Sequence, residues 1–263
     1  GFFSHGMNYT RSVANKLYWR GNWSEEIFAK CMGVVGSRRM TSYGRRVVEK
    51  IVPELVQQRW TIVSGMMYGV DQAAHEVCIE CGGKTIGVLG WGIEYRKLEI
   101  RDLKLEERIV ESGGLLVSLW KDQMGTNWTF PARNQVVADI CHELIVVEAA
   151  VKSGALLTAG MMIKRKKPVW AVPGPVTSSV SAGTNMLIAK GMAKMWVGQS
   201  RRAGEQESIS DPILELIRDE GLEADEIARK LGQDVAKVGS QLSLLTLSGE
   251  VEEREGKFYI VNV

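Results

Sequence analysis

Two short apolar runs, Leu144-Ile-Val-Val147 and Val169-Trp-Ala-Val172, stand a helix length apart, and they restrict the fold more than any other stretch. Runs this short and this rich in β-branched residues are buried on both faces. Strands joined through an intervening helix lie parallel. The pair therefore makes a strand–helix–strand unit inside a covered sheet. The residues around it are less ordinary. Phe130-Pro-Ala-Arg-Asn134 reads as a helix start before the first run, and Ser153-Gly154 opens the helix between the runs. Helix starts carry unpaired N–H groups and attract anions, so Arg133, Asn134, Ser153 and Gly154 point to phosphate binding. The second helix closes on Lys164-Arg-Lys-Lys167. Its Lys164 and Lys166 either extend a phosphate track or form a solvated helix end, where cations are favourable anyway.

The same alternation runs back toward the N-terminus. Cys31 to Val35 is a strand ending in Gly36-Ser37-Arg38-Arg39, with a helix from about Tyr43 to Gln58 after it. Thr61 to Val63 ends in Ser64-Gly65, and Gly69-Val-Asp71 opens the next helix. Thr85 to Leu89 ends in Gly90-Trp-Gly92; a helix over about 100–111 leads to Leu115 to Ser118; Met195 to Val197 is a last short strand. Strands alternating with helices specify an α/β fold with helices on both faces of a parallel sheet. Any one of these turns is explained by glycine conformation and serine capping. Four of them at the carboxyl ends of successive strands, with Arg38 and Arg133, specify a ligand-binding edge.

Charge divides the chain. From Glu205 onward there are 14 acidic and 6 basic residues, which leaves residues 1–204 at +10 within a net +2. A basic body suits a polyanion. Residues 199–210 read as a polar linker, and residues 211–263 as a small winged helix: three helices, then a hairpin turning at Glu255-Gly256. Its third helix carries only Lys237 as a cation, and its hairpin carries Glu250, Glu252, Glu253 and Glu255. Phosphate binding needs Lys and Arg, so this module is expected to contact a protein or its own chain. Residues 1–30 read as a tag remnant, Gly1 to Gly6 ahead of Met7, and a Trp-rich lead-in; residues 31–198 form the sheet domain.

Several chemistries lack their motifs. No G-x-G-x-x-G follows the first strand, no Walker A sequence is present, and no serine sits in a G-x-S-x-G elbow. No catalytic residue, cofactor or metal is expected. Asp71 and His75, at i and i+4 without a third ligand, read as a helix tie, and Cys78 and Cys81 as helix positions. With neither a membrane span nor a secretory signal, the reducing cytoplasm is the expected location. Aromatics interleaved with cations suit single-stranded nucleic acid. Trp120, Trp128 and Phe130 flank or enter the loop beside Arg133, and Phe130 is the first choice for stacking on a base.

The chain resembles the DprA (Smf) family of DNA-processing proteins. The resemblance rests on Val35-Gly-Ser-Arg38, Ser64-Gly65 with Gly69-Val-Asp71, and Gly82-Gly-Lys-Thr-Ile-Gly-Val-Leu-Gly90. It extends through Phe130-Pro-Ala-Arg-Asn134, Ser153-Gly-Ala-Leu-Leu-Thr158, Val172-Pro-Gly174 and Gly183-Thr-Asn185. It implies an extended Rossmann-like fold, a homodimer, and a non-enzymatic mediator that protects single-stranded DNA and loads a RecA-type recombinase, as in natural transformation. Family DNA contacts carry over to Gly36, Ser37, Arg38, the Phe130 loop, Arg133 and Asn134. The wider expected site adds Arg39, Ser64, Gly65, Ser153, Gly154, Lys164 and Lys166. Gln135 and Asn127 stand where many members have Arg and Lys, and the family's N-terminal helical domain is expected to be absent. The alternative is a Rossmann-like nucleotide-binding sensor or nucleotide-processing protein. The signature P-G-G-x-G-T-x-x-E of such relatives is missing, and Glu148 and Ser153-Gly154 stand nearby instead.

Overall fold

The structure is a computed structural model that describes residues 17–198, 212–217, 220–247, 249–254 and 256–261. It divides into two compact units between Gly198 and Gln199. The first unit is built on eight strands: β1 (Tyr18–Gly21), β2 (Cys31–Val35), β3 (Thr61–Gly65), β4 (Thr85–Val88), β5 (Leu115–Ser118), β6 (Glu143–Val146), β7 (Val169–Ala171) and β8 (Lys194–Met195). Seven helices accompany them: α1 (Glu25–Phe28), α2 (Ser42–Gln57), α3 (Val70–Glu80), α4 (Ile100–Glu111), α5 (Thr129–Ile140), α6 (Gly154–Lys164) and α7 (Ala182–Ala189). The sheet order is β1-β5-β4-β3-β2-β6-β7-β8.

All pairs are parallel except β1 with β5. From β2 the chain steps outward through β3, β4 and β5; it then returns to the other side of β2 for β6, β7 and β8. This makes a Rossmann-like, doubly wound sheet with its reversal between β2 and β6, in the register Val35 to Val146. At such a reversal the loops leave toward opposite faces and open a crevice.

Side-chain alternation builds the two layers. Met32, Val34, Ile62 and Ile145 pack with Val48, Ile51 and Val52 of α2 and with Val77 of α3. Cys31, Val35, Val63, Leu144 and Val146 face the other way, onto Val136 and Val137 of α5 and Ala159 and Met162 of α6. Burial on both sides is why β2 to β5 read as unbroken apolar runs.

Two features differ from the sequence reading. Tyr18–Gly21, placed there in a lead-in outside the sheet, is its antiparallel edge strand, with Tyr18 opposite Ser118 and Gly21 opposite Leu115. Four residues with Arg20 in their middle carry no strand period, and a buried carboxylate does the anchoring. Glu106 of α4 is fully buried and accepts from Arg20 Nη2 at 2.6 Å, Arg96 Nη1 at 2.9 Å and Trp91 Nε1 at 3.1 Å. Helix α5 also begins at Thr129, so Arg133 and Asn134 lie in its second turn and not at its start. Thr126 N donates to Thr129 Oγ1 at 2.8 Å, while Thr129 Oγ1 donates to Thr126 O at 3.0 Å. That closure starts the helix early, and Pro131 fits the first turn, where its missing N–H is not needed.

The second unit holds α8 (Pro212–Leu216), α9 (Ala224–Leu231), α10 (Val235–Leu247) and the antiparallel hairpin β9 (Val251–Arg254) and β10 (Lys257–Ile260). It is a winged helix around Ile213, Ile217, Leu222, Ile227, Val238, Leu242 and Val251. Gly232 ends α9 in the left-handed region at φ 62°, and Asp234 Oδ1 accepts from Ala236 N at 2.9 Å to begin α10. The proposed linker 199–210, the segment Gly1 to Gly6 and Glu255 lie outside the described residues.

Replacing Glu106 with Ala should remove the acceptor that two arginines share. Both arginines reach solvent, so the loss should sit at the low end for a broken buried pair, about 3 kcal/mol. Urea unfolding of the two proteins measures it; equal midpoints would contradict the anchoring role.

Candidate nucleic-acid interface

A cavity of about 560 Å³ opens where the sheet order reverses. The turn after β2 supplies Gly36, Ser37, Arg38 and Arg39 to it, and the end of β3 supplies Gly65. Phe130, Arg133 and Asn134 enter from α5, and Ser153 and Gly154 from the start of α6. These ten of the thirteen residues expected from the sequence meet in one place. Ser64 lies beneath them, fully buried, and its hydroxyl donates to Val34 O at 2.6 Å.

Lys164 and Lys166 are elsewhere. They are exposed at the far end of α6, about 16 Å of helix from Gly154. Their neighbours do structural work. Arg165 Nη2 pairs with Asp139 at 2.7 Å and also donates to Gln135 Oε1 at 2.8 Å. Lys167 Nζ donates to the carbonyls of Ala138, Asp139 and Cys141 at the end of α5, at 2.6 to 2.8 Å. A helix between parallel strands runs back along the sheet, so its two ends lie at opposite sheet edges.

Arg133 forms the floor of the cavity. It is only 4% exposed; its Nη1 donates to Val88 O at 2.6 Å and its Nε to Asn134 Oδ1 at 3.1 Å. Asn134 Nδ2 reaches Gly154 O at 3.4 Å. The guanidinium lies against Gly65, where a Cβ would overlap Nη1 and approach Asp71 Oδ2. Burial pulls the Arg133 pKa down, and the charge of Asp71 opposes that. Burial pushes the Asp71 carboxyl up to about 6, against Arg133 and hydrogen bonds from the backbone of Met67 and Gly36. The two charges largely compensate one another. The positive potential of the cavity therefore belongs to its rim, where Arg38, Arg39 and Lys152 are exposed.

Phe130 is half-buried. Its ring lies against Gly90 and Gly125, and the Arg38 guanidinium sits over it, 5.4 Å from the centroid. Glu148, 1% exposed, accepts from Thr41 N at 2.9 Å and Thr41 Oγ1 at 2.5 Å, so its carboxylate is committed to the start of α2. Asn127, Lys152, Thr158 and Asp71 also line the cavity, and the sequence reading did not assign them to the site. Lys152 had a signal, since it directly precedes Ser153-Gly154; the coupling of Asp71 to Arg133 had none, because it crosses between α3 and α5.

A family model described as DNA recombination-mediator protein A matches residues 3–203. The chain belongs to that family. A second model, the DprA winged helix domain, matches residues 199–257. The DNA processing protein DprA of Streptococcus pneumoniae is 35% identical over 185 residues, covering 70% of this chain and 64% of that protein. Protein Smf of Escherichia coli K12 is 30% identical over 250 residues, covering 86% of this chain and 67% of that protein. The chain thus spans roughly two thirds of the length of these family members. Among solved structures, the DprA of Streptococcus pneumoniae superposes with a TM-score of 0.63 at 32% identity, covering 69% of this chain and 63% of that one. DNA processing protein A of Helicobacter pylori, described for its single-stranded DNA binding mode, superposes with a TM-score of 0.61 at 28% identity, covering 68% and 80%.

His75 ties the strands beneath the cavity. It is fully buried, with Nε2 2.8 Å from Gly65 O and Nδ1 2.7 Å from Thr85 Oγ1. A carbonyl only accepts, so Nε2 carries a proton, and it is burial, not these two contacts, that keeps the ring neutral near pH 7. Burial lowers its pKa to about 4. The unfolded imidazole takes a proton near 6.5, so this stability is full above that pH and is lost as pH falls from 6.5 toward 4. Asp71 has the opposite sign, because its folded carboxyl holds a proton up to about 6 and favours the fold below that pH. Between pH 7 and 5 the His75 loss is on the order of 2 kcal/mol and the Asp71 gain about 1 kcal/mol. His75→Gln should therefore lose about 2 kcal/mol less than the parent between those pH values in urea unfolding. Equal losses would rule out a neutral buried His75.

Proposed function

We propose that this chain is a non-enzymatic, single-stranded-DNA-binding mediator of recombination. It holds the strand at the sheet reversal and hands it to a RecA-type recombinase, as in natural transformation. The observation that carries this reading is the rim: Arg38, Arg39 and Lys152 stand exposed around a cavity whose floor charges cancel. Such a rim attracts a polyanion without reading its sequence. The Helicobacter pylori relative described for binding single-stranded DNA supports the choice of ligand.

In this reading Arg38 pairs with a phosphate, aided by Arg39, Lys152 and the backbone N–H groups of Gly36 and Ser37. Leaving the Phe130 face, Arg38 frees that ring to stack on a base. Arg133 and Asn134 offer their remaining donors from the floor, and Ser153 and Gly154 those of the α6 start. Ser64 and Gly65 shape the floor beneath Arg133, and Lys164 and Lys166 take phosphates of a strand long enough to cross to the other sheet edge. The protein works as a homodimer in the cytoplasm. Glu148, which stands near the missing nucleotide-processing signature, is bound to Thr41 and is not among the cavity lining, so the nucleotide-processing reading gains no support from it. Among the described residues no helix is long and apolar enough to cross a membrane.

Fluorescence anisotropy of labelled oligo-dT over a salt series tests the reading. For single strands the log–log slope is about −0.7 per phosphate neutralised. The parent protein should bind with a slope of several contacts and bind duplex poorly; Arg38→Ala should weaken binding and lose about one contact from the slope. No binding at low salt would end the proposal and turn attention to small nucleotides.

A further inference from the structure

Trp128 is more exposed, at 58%, than any other aromatic among the described residues. Its exposure is not that of a frayed end. Trp120 meets it in a T-shaped contact, ring centroids 5.4 Å apart and planes at 89°. The loop carrying both is pinned to the turn after β4: Gly92 N donates to Gln123 O at 2.8 Å, Ile93 N to Trp120 O at 3.0 Å and Glu94 N to Lys121 O at 2.8 Å. On its other side Trp128 runs into the first turn of α5, which Thr126 and Thr129 close. A large apolar ring held in place and left open to water costs free energy that a ligand would recover.

The neighbours of Trp128 identify the ligand. Asn127 and Phe130, on either side of it in the chain, both line the cavity. The Phe130 ring is packed against Gly90 and Gly125 with Arg38 over it, so it is half-buried, whereas Trp128 is 58% exposed. Trp128 is not itself in the lining; it is the open ring one residue from Asn127, at the edge of a cavity whose rim carries Arg38, Arg39 and Lys152. A flat apolar surface next to cations suits an unpaired base with its phosphates, since every base has a π-face and every nucleotide a negative charge. A basic protein segment would be repelled by the same rim.

We propose that Trp128, supported edge-on by Trp120, is a second stacking platform, taking an unpaired base where the strand leaves the cavity. This rests on the reading of the cavity as a single-strand site and adds, as a subsite, a ring that the sequence placed only beside the loop, behind Phe130 as a stacking candidate. Stacking releases no counterions, so its signature differs from that of a cation.

The test uses the full chain, oligo-dT and a strand of the same length made of abasic nucleotides, with Trp128→Ala, Trp128→Leu and Trp128→Phe. Trp128→Ala should weaken oligo-dT binding about 5- to 150-fold, with the salt slope unchanged. Leu, apolar but not flat, should lose as much as Ala, and Phe should recover most of the affinity. On the abasic strand the parent and Trp128→Ala should bind equally, because the base that makes the difference is gone. Binding of Trp128→Ala to oligo-dT within twofold of the parent would overturn the subsite, as would an equal loss on both strands or rescue by Leu. If the parent itself fails to bind oligo-dT, the single-strand reading falls and the subsite falls with it; if only the Trp128 comparison fails, the cavity reading stands.

Discussion

The buried guanidinium of Arg133 holds the site together. A charge taken out of water must be paired and hydrogen-bonded or it unfolds its surroundings. Arg133 meets that demand by drawing on several elements at once: the last carbonyl of β4 at Val88, the bare end of β3 at Gly65, Asp71 of α3, and Asn134, which itself reaches Gly154 of α6. Each contact fixes where a loop leaves the sheet. The carboxyl ends of β3 and β4 and the starts of α3 and α6 are therefore positioned by one side chain, and the cavity is the space they leave.

That solution also sets the electrostatics. Because Asp71 offsets Arg133, the floor contributes hydrogen-bond geometry more than net charge, and attraction falls to Arg38, Arg39 and Lys152 at the rim. Exposed cations exchange partners readily, whereas a buried arginine does not. Arg38 resting on the Phe130 ring shows the consequence. A cation on an aromatic face is weakly held and can be given up for a phosphate. The arrangement suits the strand binding proposed above, while Glu148 is held by Thr41 at the start of α2.

The basic run Lys164 to Lys167 shows how a single composition signal divides in three dimensions. Arg165 and Lys167 close the end of α5, and only Lys164 and Lys166 face solvent, at the edge away from the cavity. Conversely, Lys152 stands alone in the sequence yet joins the rim, because the turn after β6 carries it there.

The α/β class, the strands β2 to β7 and the winged helix could be read from the sequence, because burial on both faces imposes apolar runs and helix ends impose Gly, Ser and Asp. So could most of the site, since turns at the carboxyl ends of parallel strands converge whatever the details. The edge strand β1 could not: four residues anchored through Arg20 to a carboxylate in α4 have no local period. Nor could the burial of Arg133, its coupling to Asp71, the covering of Phe130 by Arg38, or the exposure of Trp128. Local sequence carries short-range periodicity and turn chemistry. Which charges are cancelled and which rings stay open depends on contacts between elements distant in the chain, and only the packed sheet brings those together.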